Sequence, residues 1–388
     1  MKHADVPTGL ALAGCLVATA LVVVFGGREA IGDCSSLVLH NDGQVIFGCN
    51  YDRISNDPGL VFIHKRGLVK TGFSPSTTGT IAQWTARYAS IAFSLAGYQQ
   101  AWGGMNERGL TFSTMSLSET ENPPPDQRPP LEWLWPQYVL DTCETVDDVI
   151  ATDALVRTST VDHYLVADRN GGVAVIEFLD GRMVVHTGAG LCAPVLTNSV
   201  YANACETWEF LRSTGNYSQV SDSTQRFCLA ADRVAAFSGT TTEAAVNYAF
   251  ATLRAIYRDA SYTRWSIVYD TANLRVYFKT QTNPAVRWVD LMAFDLRCGC
   301  PTMMLDVNAD LEGDVSGEFT EYDSDVNRAL MEGYLQRWGI PYDAQQLQGV
   351  VLHVEAFACT TPSVRRRLPQ LEPTLVPPPR AFQAPQVW

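Results

Sequence analysis

The sequence predicts an α+β fold, with packed β-sheets carrying helices on their outer faces, in one domain spanning residues 34–360. Short β-like runs closed by turn signals recur from Ser36 onward. Helix-like runs lie between blocks of such strands. The 388 residues, 46% of them hydrophobic, are enough to fill a sizeable core.

The first hairpin is read from Val38-Leu39-His40 and Val45-Ile46-Phe47, joined through a two-residue Asp42-Gly43 turn. Asp-Gly suits that turn because its central residues take positive φ, where glycine is unstrained. "LVFIHKRGLVK" (60–70) and "AWGGMNERGLTFSTMSL" (101–117) add strands, the second folding back at Asn106 to Gly109. "HYLVADRNGGVAVIEFLDGRMVVHT" (163–187) reads as three strands with two glycine turns, and 264–281 as another hairpin. Helical patterning covers 130–155, 203–214, 228–239 and 243–257. The proline-rich stretch "SETENPPPDQRPP" (118–130) cannot be regular structure and is expected as a surface loop at the mouth of a pocket. Residues 361–388 combine proline density with no apolar periodicity, which predicts a disordered tail.

A formal net charge of −13 excludes a nucleic-acid partner, since no basic stripe offsets it. Arg365, Arg366 and Arg367 form a dense basic run, but inside the proline-rich tail. The six histidines are scattered, with no metal-ligand spacing. Cys298-Gly299-Cys300 reads as disulfide or core thiols before it reads as a metal site. No metal and no cofactor are expected. Residues 1–33 form a leader in which Thr8 to Gly27 are uncharged and apolar, long enough to insert in a membrane or act as a signal h-region. Leu12-Ala13-Gly14-Cys15 resembles a lipobox, although the apolar run continues past it. The expected location is exported, periplasmic or extracellular, with anchoring through residues 8–27 left open. With Cys15 in the leader and Cys34 set aside, eight cysteines remain, a number compatible with pairing in an oxidising compartment.

No signal-peptidase-like site lies between Gly27 and Cys34, because Arg28 and Glu29 interrupt it. This directs attention to Cys34. With Asp42-Gly43 as the turn, Ser36 faces Cys49, Cys34 faces Tyr51, and Asp52 arrives beside the head of the strand. A carboxylate there suits a Cys34 that is the chain's N-terminus. A free α-amine, of reference pKa about 8, is a competent base for a thiol of about 8.5. A buried structural thiol is the alternative reading of this stretch alone.

"CSSLVLHNDGQVIFGCNYD" resembles the opening of the choloylglycine hydrolase and penicillin V acylase family of N-terminal-nucleophile hydrolases. "HKRG" (64–67), "GGMNERGL" (103–110), "TNS" (197–199) and "STQRF" (223–227) continue the resemblance in the family's order over roughly residues 34–290. It implies a four-layer αββα sandwich and hydrolysis of a linear amide C–N bond. It also implies Cys34 as nucleophile, Asp52 as holder of the α-amine, Asn198 as oxyanion donor, and Arg226 as support for the charge network. Two positions depart from the pattern. Cys49 stands where the family commonly has arginine, and Ser116 where bile-salt hydrolases have asparagine. Both are assigned to substrate binding, and both leave the acyl and amine specificity open.

The expected function is therefore an exported precursor that cuts itself at Asp33–Cys34 and hydrolyses a small N-acyl amide through a thioester on Cys34. The substrate would be of bile-salt, penicillin V or related type. The alternative is a catalytically silent, membrane-tethered binding protein on the same fold. Assembly into a homo-oligomer is left open. An apolar acyl pocket is expected around Trp84, Trp102 and Trp133.

Overall fold

The computed structural model describes residues 34–41, 43–53, 58–258 and 261–360. The leader, the turn residue Asp42 and the tail expected to be disordered lie outside these residues. β1 (Ser35–Asn41) and β2 (Gln44–Asp52) form the expected hairpin. Their register pairs Ser36 with Cys49, Val38 with Phe47 and His40 with Val45. Gly43 sits at φ +81°, the left-handed value its turn requires.

β1 and β2 lie in a seven-stranded sheet. Its order is Val195–Leu196, β1, β2, Thr263–Asp270, Arg275–Thr280, Arg287–Asp290 and Gly313–Asp314. A nine-stranded sheet packs against it. This runs from Arg182–Thr187 through Val173–Leu179, Asp162–Ala167, Thr111–Ser116, Gly103–Asn106, Ser90–Ser94 and Leu60–His64 to Met303–Asp306 and Thr320–Glu321. Side chains alternate across each sheet, so each strand feeds two cores. Phe47, Ile91, Phe93, Met105 and Leu165 fill the space between the sheets. Ala92, Phe112, Tyr164 and Ile176 face outward onto Trp135 and Leu140 of helix Trp135–Thr142. On the other side, helices Tyr201–Leu211, Asp222–Ala235 and Thr242–Ala255 cover the seven-stranded sheet. The result is the αββα order.

Helices Ser324–Arg337 and Ala344–Glu355 lie where no element was expected. Leu330, Met331 and Leu335 of the first give a helical apolar spacing, and Asp323 caps it by accepting from the N–H groups of Asp325 and Val326. Those signals were present in the sequence. The stretch 118–130 is irregular, as expected, but it packs away from the pocket. Asp126 O accepts from Thr77 N–H, and Glu121 N–H donates to Phe178 O. Cys192–Cys205 and Cys298–Cys359 form disulfides, so Cys298 and Cys300 do not pair with each other.

Candidate active site

Cys34 lies one residue before β1, 3% exposed, in the wall of a cavity of about 150 Å³. Strand alternation gives β1 one face toward the second sheet, where the Ser36 hydroxyl donates to Met115 Sδ at 3.5 Å. The other face meets the helices. β2 ends at Asp52, fully buried and close against the Cys34 thiol.

Arg226 reaches the same point from helix Asp222–Ala235. Ser221 caps this helix by accepting from Thr224 N–H, and Asp222 accepts from Arg226 Nε at 2.9 Å, one turn on. Arg226 Nη1 donates to Cys34 O at 2.8 Å and to Ser35 Oγ at 2.6 Å. Its Nη2 points to Asn198 Oδ1 at 3.4 Å. Asn198 Nδ2 donates to Ser116 O at 2.9 Å. These contacts orient the Asn198 amide and leave its second N–H available for an anionic oxygen.

Burial and the Asp52 carboxylate push the Cys34 thiol well above its usual range. The Asp52 N–H and the Arg226 charge pull in the other direction without reversing the shift. At neutral pH the thiol is therefore held protonated. Burial pushes the Cys49 thiol to about 12, with the Ser113 hydroxyl as its polar neighbour. Cys49 is fully buried between the sheets and does not belong to the cavity wall, whereas Ser116 does. The substrate-binding assignment of Cys49 is therefore without a contact surface in this structure, because period-two alternation turns its side chain into the closed intersheet core.

The cavity is lined by Tyr51, Trp102, Trp133, Tyr334 and Trp338, with Arg53 and Asp162. Tyr51 meets Trp102 edge-on, with ring centres 5.1 Å apart. Trp84, expected here, instead sits in the outer core and donates from Nε1 to Asp141 Oδ2 at 2.8 Å. Loop 118–130 contributes nothing to the wall. Sequence reasoning missed Arg53, Asp162, Tyr334 and Trp338. The Arg53 guanidinium lies 3.3 Å over the Trp338 ring. Asp162 is the cross-strand partner of Ser116, and burial lifts its carboxyl to about 6 against the pull of the Thr160 hydroxyl and His163. Contact between residues this distant in sequence has no local signal.

A buried cluster supports the Asn198 turn. Glu177 accepts from Tyr201 N–H at 3.0 Å, and His163 Nδ1 and His186 Nε2 lie 3.1 and 3.3 Å from its oxygens. Tyr201 closes the turn by donating its hydroxyl to Ala193 O, and the Cys192–Cys205 disulfide spans the same segment. The 195–196 strand in between pairs with Leu37 and Ser36 of β1.

Two stacked sheets between helical layers, with a cysteine at the head of a strand, define the N-terminal-nucleophile hydrolase fold. Penicillin V acylase from Agrobacterium tumefaciens has a similar structure, with TM-score 0.64 and 22% identity over 75% of this chain and 98% of that one. A variant of conjugated bile acid hydrolase from Clostridium perfringens superposes with TM-score 0.58 and 17% identity, over 72% of this chain and 98% of the other. In sequence, penicillin V acylase from Pectobacterium atrosepticum is 27% identical over 328 residues, covering 71% of this chain and 85% of its own. Residues 34–246 match the family of linear amide C–N hydrolases, choloylglycine hydrolase family. The chain belongs to that family and is a hydrolase of linear amide C–N bonds.

Proposed function

We propose that the chain is exported as a precursor, cuts itself between Asp33 and Cys34, and hydrolyses small N-acyl amides through a thioester on Cys34. The observation that carries this reading is the convergence of Arg226, Asn198 and the end of β2 on one buried cysteine that heads a strand. Two disulfides support export, because such bonds persist in oxidising compartments. Cleavage would place an α-ammonium beside the thiol and oppose the burial that holds it protonated.

In acylation the thiolate forms a C–S bond to the amide carbon, and the oxyanion accepts from the second Asn198 Nδ2–H. The C–N bond then breaks, and the α-ammonium gives its proton to the departing amine. As a free amine it next takes a proton from water, whose oxygen attacks the thioester; the C–S bond breaks and releases the carboxylic acid, which restores the thiolate and α-ammonium pair. Asp52 orients that amine. The cavity's aromatic lining and volume of about 150 Å³ favour an apolar acyl group of one ring or a short chain. Pockets for drug-sized ligands begin at roughly 300 Å³, so a penicillin V-type acyl group fits this reading better than a steroid.

Intact-mass measurement tests the processing step. Wild type should begin at Cys34, and Cys34→Ala should retain at least Asp33. An alanine variant trimmed to residue 34 would show that an external protease does the cutting. A panel of amides with one constant amine tests the acyl reading. The value of kcat/KM should rise from acetyl to phenoxyacetyl and fall for decanoyl and steroid acyl groups; a flat series would sink it.

A further inference from the structure

A second cleft, about 490 Å³, lies on the opposite face of the seven-stranded sheet from the Cys34 cavity. It sits between the C-terminal end of helix Thr242–Ala255 and the hairpin Thr263–Asp270/Arg275–Thr280. Its walls carry Arg254, Arg264 and Lys279, and none of its described lining residues is acidic. In a chain of formal net charge −13 this runs against the balance of the whole. Lys279 is the register partner of Ser266, and both line the cleft together with Arg264, which stands at the bulge between Thr263 and Trp265. Among the described residues neither Arg254 nor Lys279 forms an ion pair with a carboxylate. Burial and the nearby Arg254 charge push the Lys279 amine below its usual pKa.

A purely structural role explains two of the three cations. Arg254 stands in the last turn of its helix, where one positive charge offsets the helix dipole. Arg264 Nε donates to Arg53 O at 2.8 Å and so holds the chain just past Asp52. Lys279 has neither task. Its ammonium lies 5.1 Å from the Phe250 ring centre and faces Arg254, an arrangement that repels unless an anion enters.

We propose that this cleft binds a compact oxyanion of the phosphate, sulfate or carboxylate class between Arg254 and Lys279, with the mutually hydrogen-bonded Tyr257 and Ser266 hydroxyls in its wall. The same chemistry is presented by a free anion and by a lipid headgroup; the open, hydroxyl-lined cleft is assigned to the free anion. The test uses the full chain as purified. Inorganic phosphate is titrated at constant ionic strength, with chloride as the exchanged ion, while thermal unfolding is followed. Wild type should show a saturable rise in Tm beyond the chloride control. Lys279→Gln and Arg254→Gln should each bind phosphate about tenfold more weakly, as the loss of one charge-assisted hydrogen bond entails, with little change of Tm in chloride for Lys279→Gln and a small fall for Arg254→Gln from the lost helix-end charge. No rise beyond chloride would overturn the assignment, as would an unchanged rise in the double variant. Sedimentation with phosphatidylglycerol vesicles separates the two sources. Vesicle binding lost in Lys279→Gln, without a response to inorganic phosphate, would overturn the free-anion assignment in favour of a headgroup.

Discussion

Cys49 stands where the family pattern has arginine, and its surroundings explain why a neutral side chain is held there. It is fully buried between the sheets, near Cys34 and the Ser113 hydroxyl, with its own thiol pushed to about 12. At neutral pH it carries no charge. Cys49→Ser should leave kcat/KM within about tenfold, a barrier change near 1.4 kcal/mol; complete loss in a folded, processed variant would contradict this. Arg226 is the opposite case. One guanidinium serves Cys34 O, Ser35 Oγ and Asn198 Oδ1 together, which a lysine ammonium on a single stem cannot span. Arg226→Lys should lower kcat by about 100-fold, the scale of a misplaced oxyanion donor, while KM changes little. A raised KM at wild-type-like kcat would instead point to a substrate contact.

At the scale of elements, the turn carrying Asn198 is held by the start of helix Tyr201–Leu211, and Glu177 ties that helix to the nine-stranded sheet. Burial alone would raise the Glu177 carboxyl, but hydrogen bonds from His163 and His186, the His163 charge and the Tyr201 N–H together lower it to about 2. A carboxyl depressed in the folded state contributes stability above its unfolded pKa, near 4.5, and loses it as pH falls toward 2. The Tm advantage of wild type over Glu177→Gln should therefore be constant above about pH 5 and shrink below it. An advantage independent of pH would show that Glu177 does not hold the charge. Close approach between elements can be tested at Gly104. A Cβ there would meet Ile91 O at 2.6 Å and Leu140 Cδ1 at 2.8 Å, so strand and helix must separate. Gly104→Ala should cost about 1–3 kcal/mol by chemical denaturation.

For the molecule as a whole, the cavity is completed by chain far from Cys34. Tyr334 and Trp338 come from helix Ser324–Arg337 and the residue after it, and the Cys298–Cys359 bridge closes a loop of 61 residues around that region. Loop-closure entropy assigns such a bridge about 4 kcal/mol. Cys359→Ser should lower Tm and raise KM for aromatic acyl amides, because Trp338 loses its fixed place over Arg53, while kcat stays near wild type. A fall in kcat at unchanged KM would assign these helices to the catalytic step rather than to the acyl wall.

The residues themselves determined the register of β1 with β2 and the approach of Asp52 to Cys34, while the family resemblance implied the αββα fold and brought in Asn198 and Arg226. The register rests on short-range signals, a two-residue turn and period-two alternation, whereas the distant partners were reachable only through motifs matched in order along the chain. The sequence also holds the helical spacing of Leu330, Met331 and Leu335, in a stretch that the family resemblance does not cover. Only the tertiary structure decided what surrounds the cysteine. It put Trp338 and Asp162 into the cavity wall, turned Cys49 and Trp84 away from it, and carried the 118–130 loop elsewhere. Those outcomes depend on which distant surfaces pack together, and buried apolar area favours aromatic side chains equally in a core or a cavity wall.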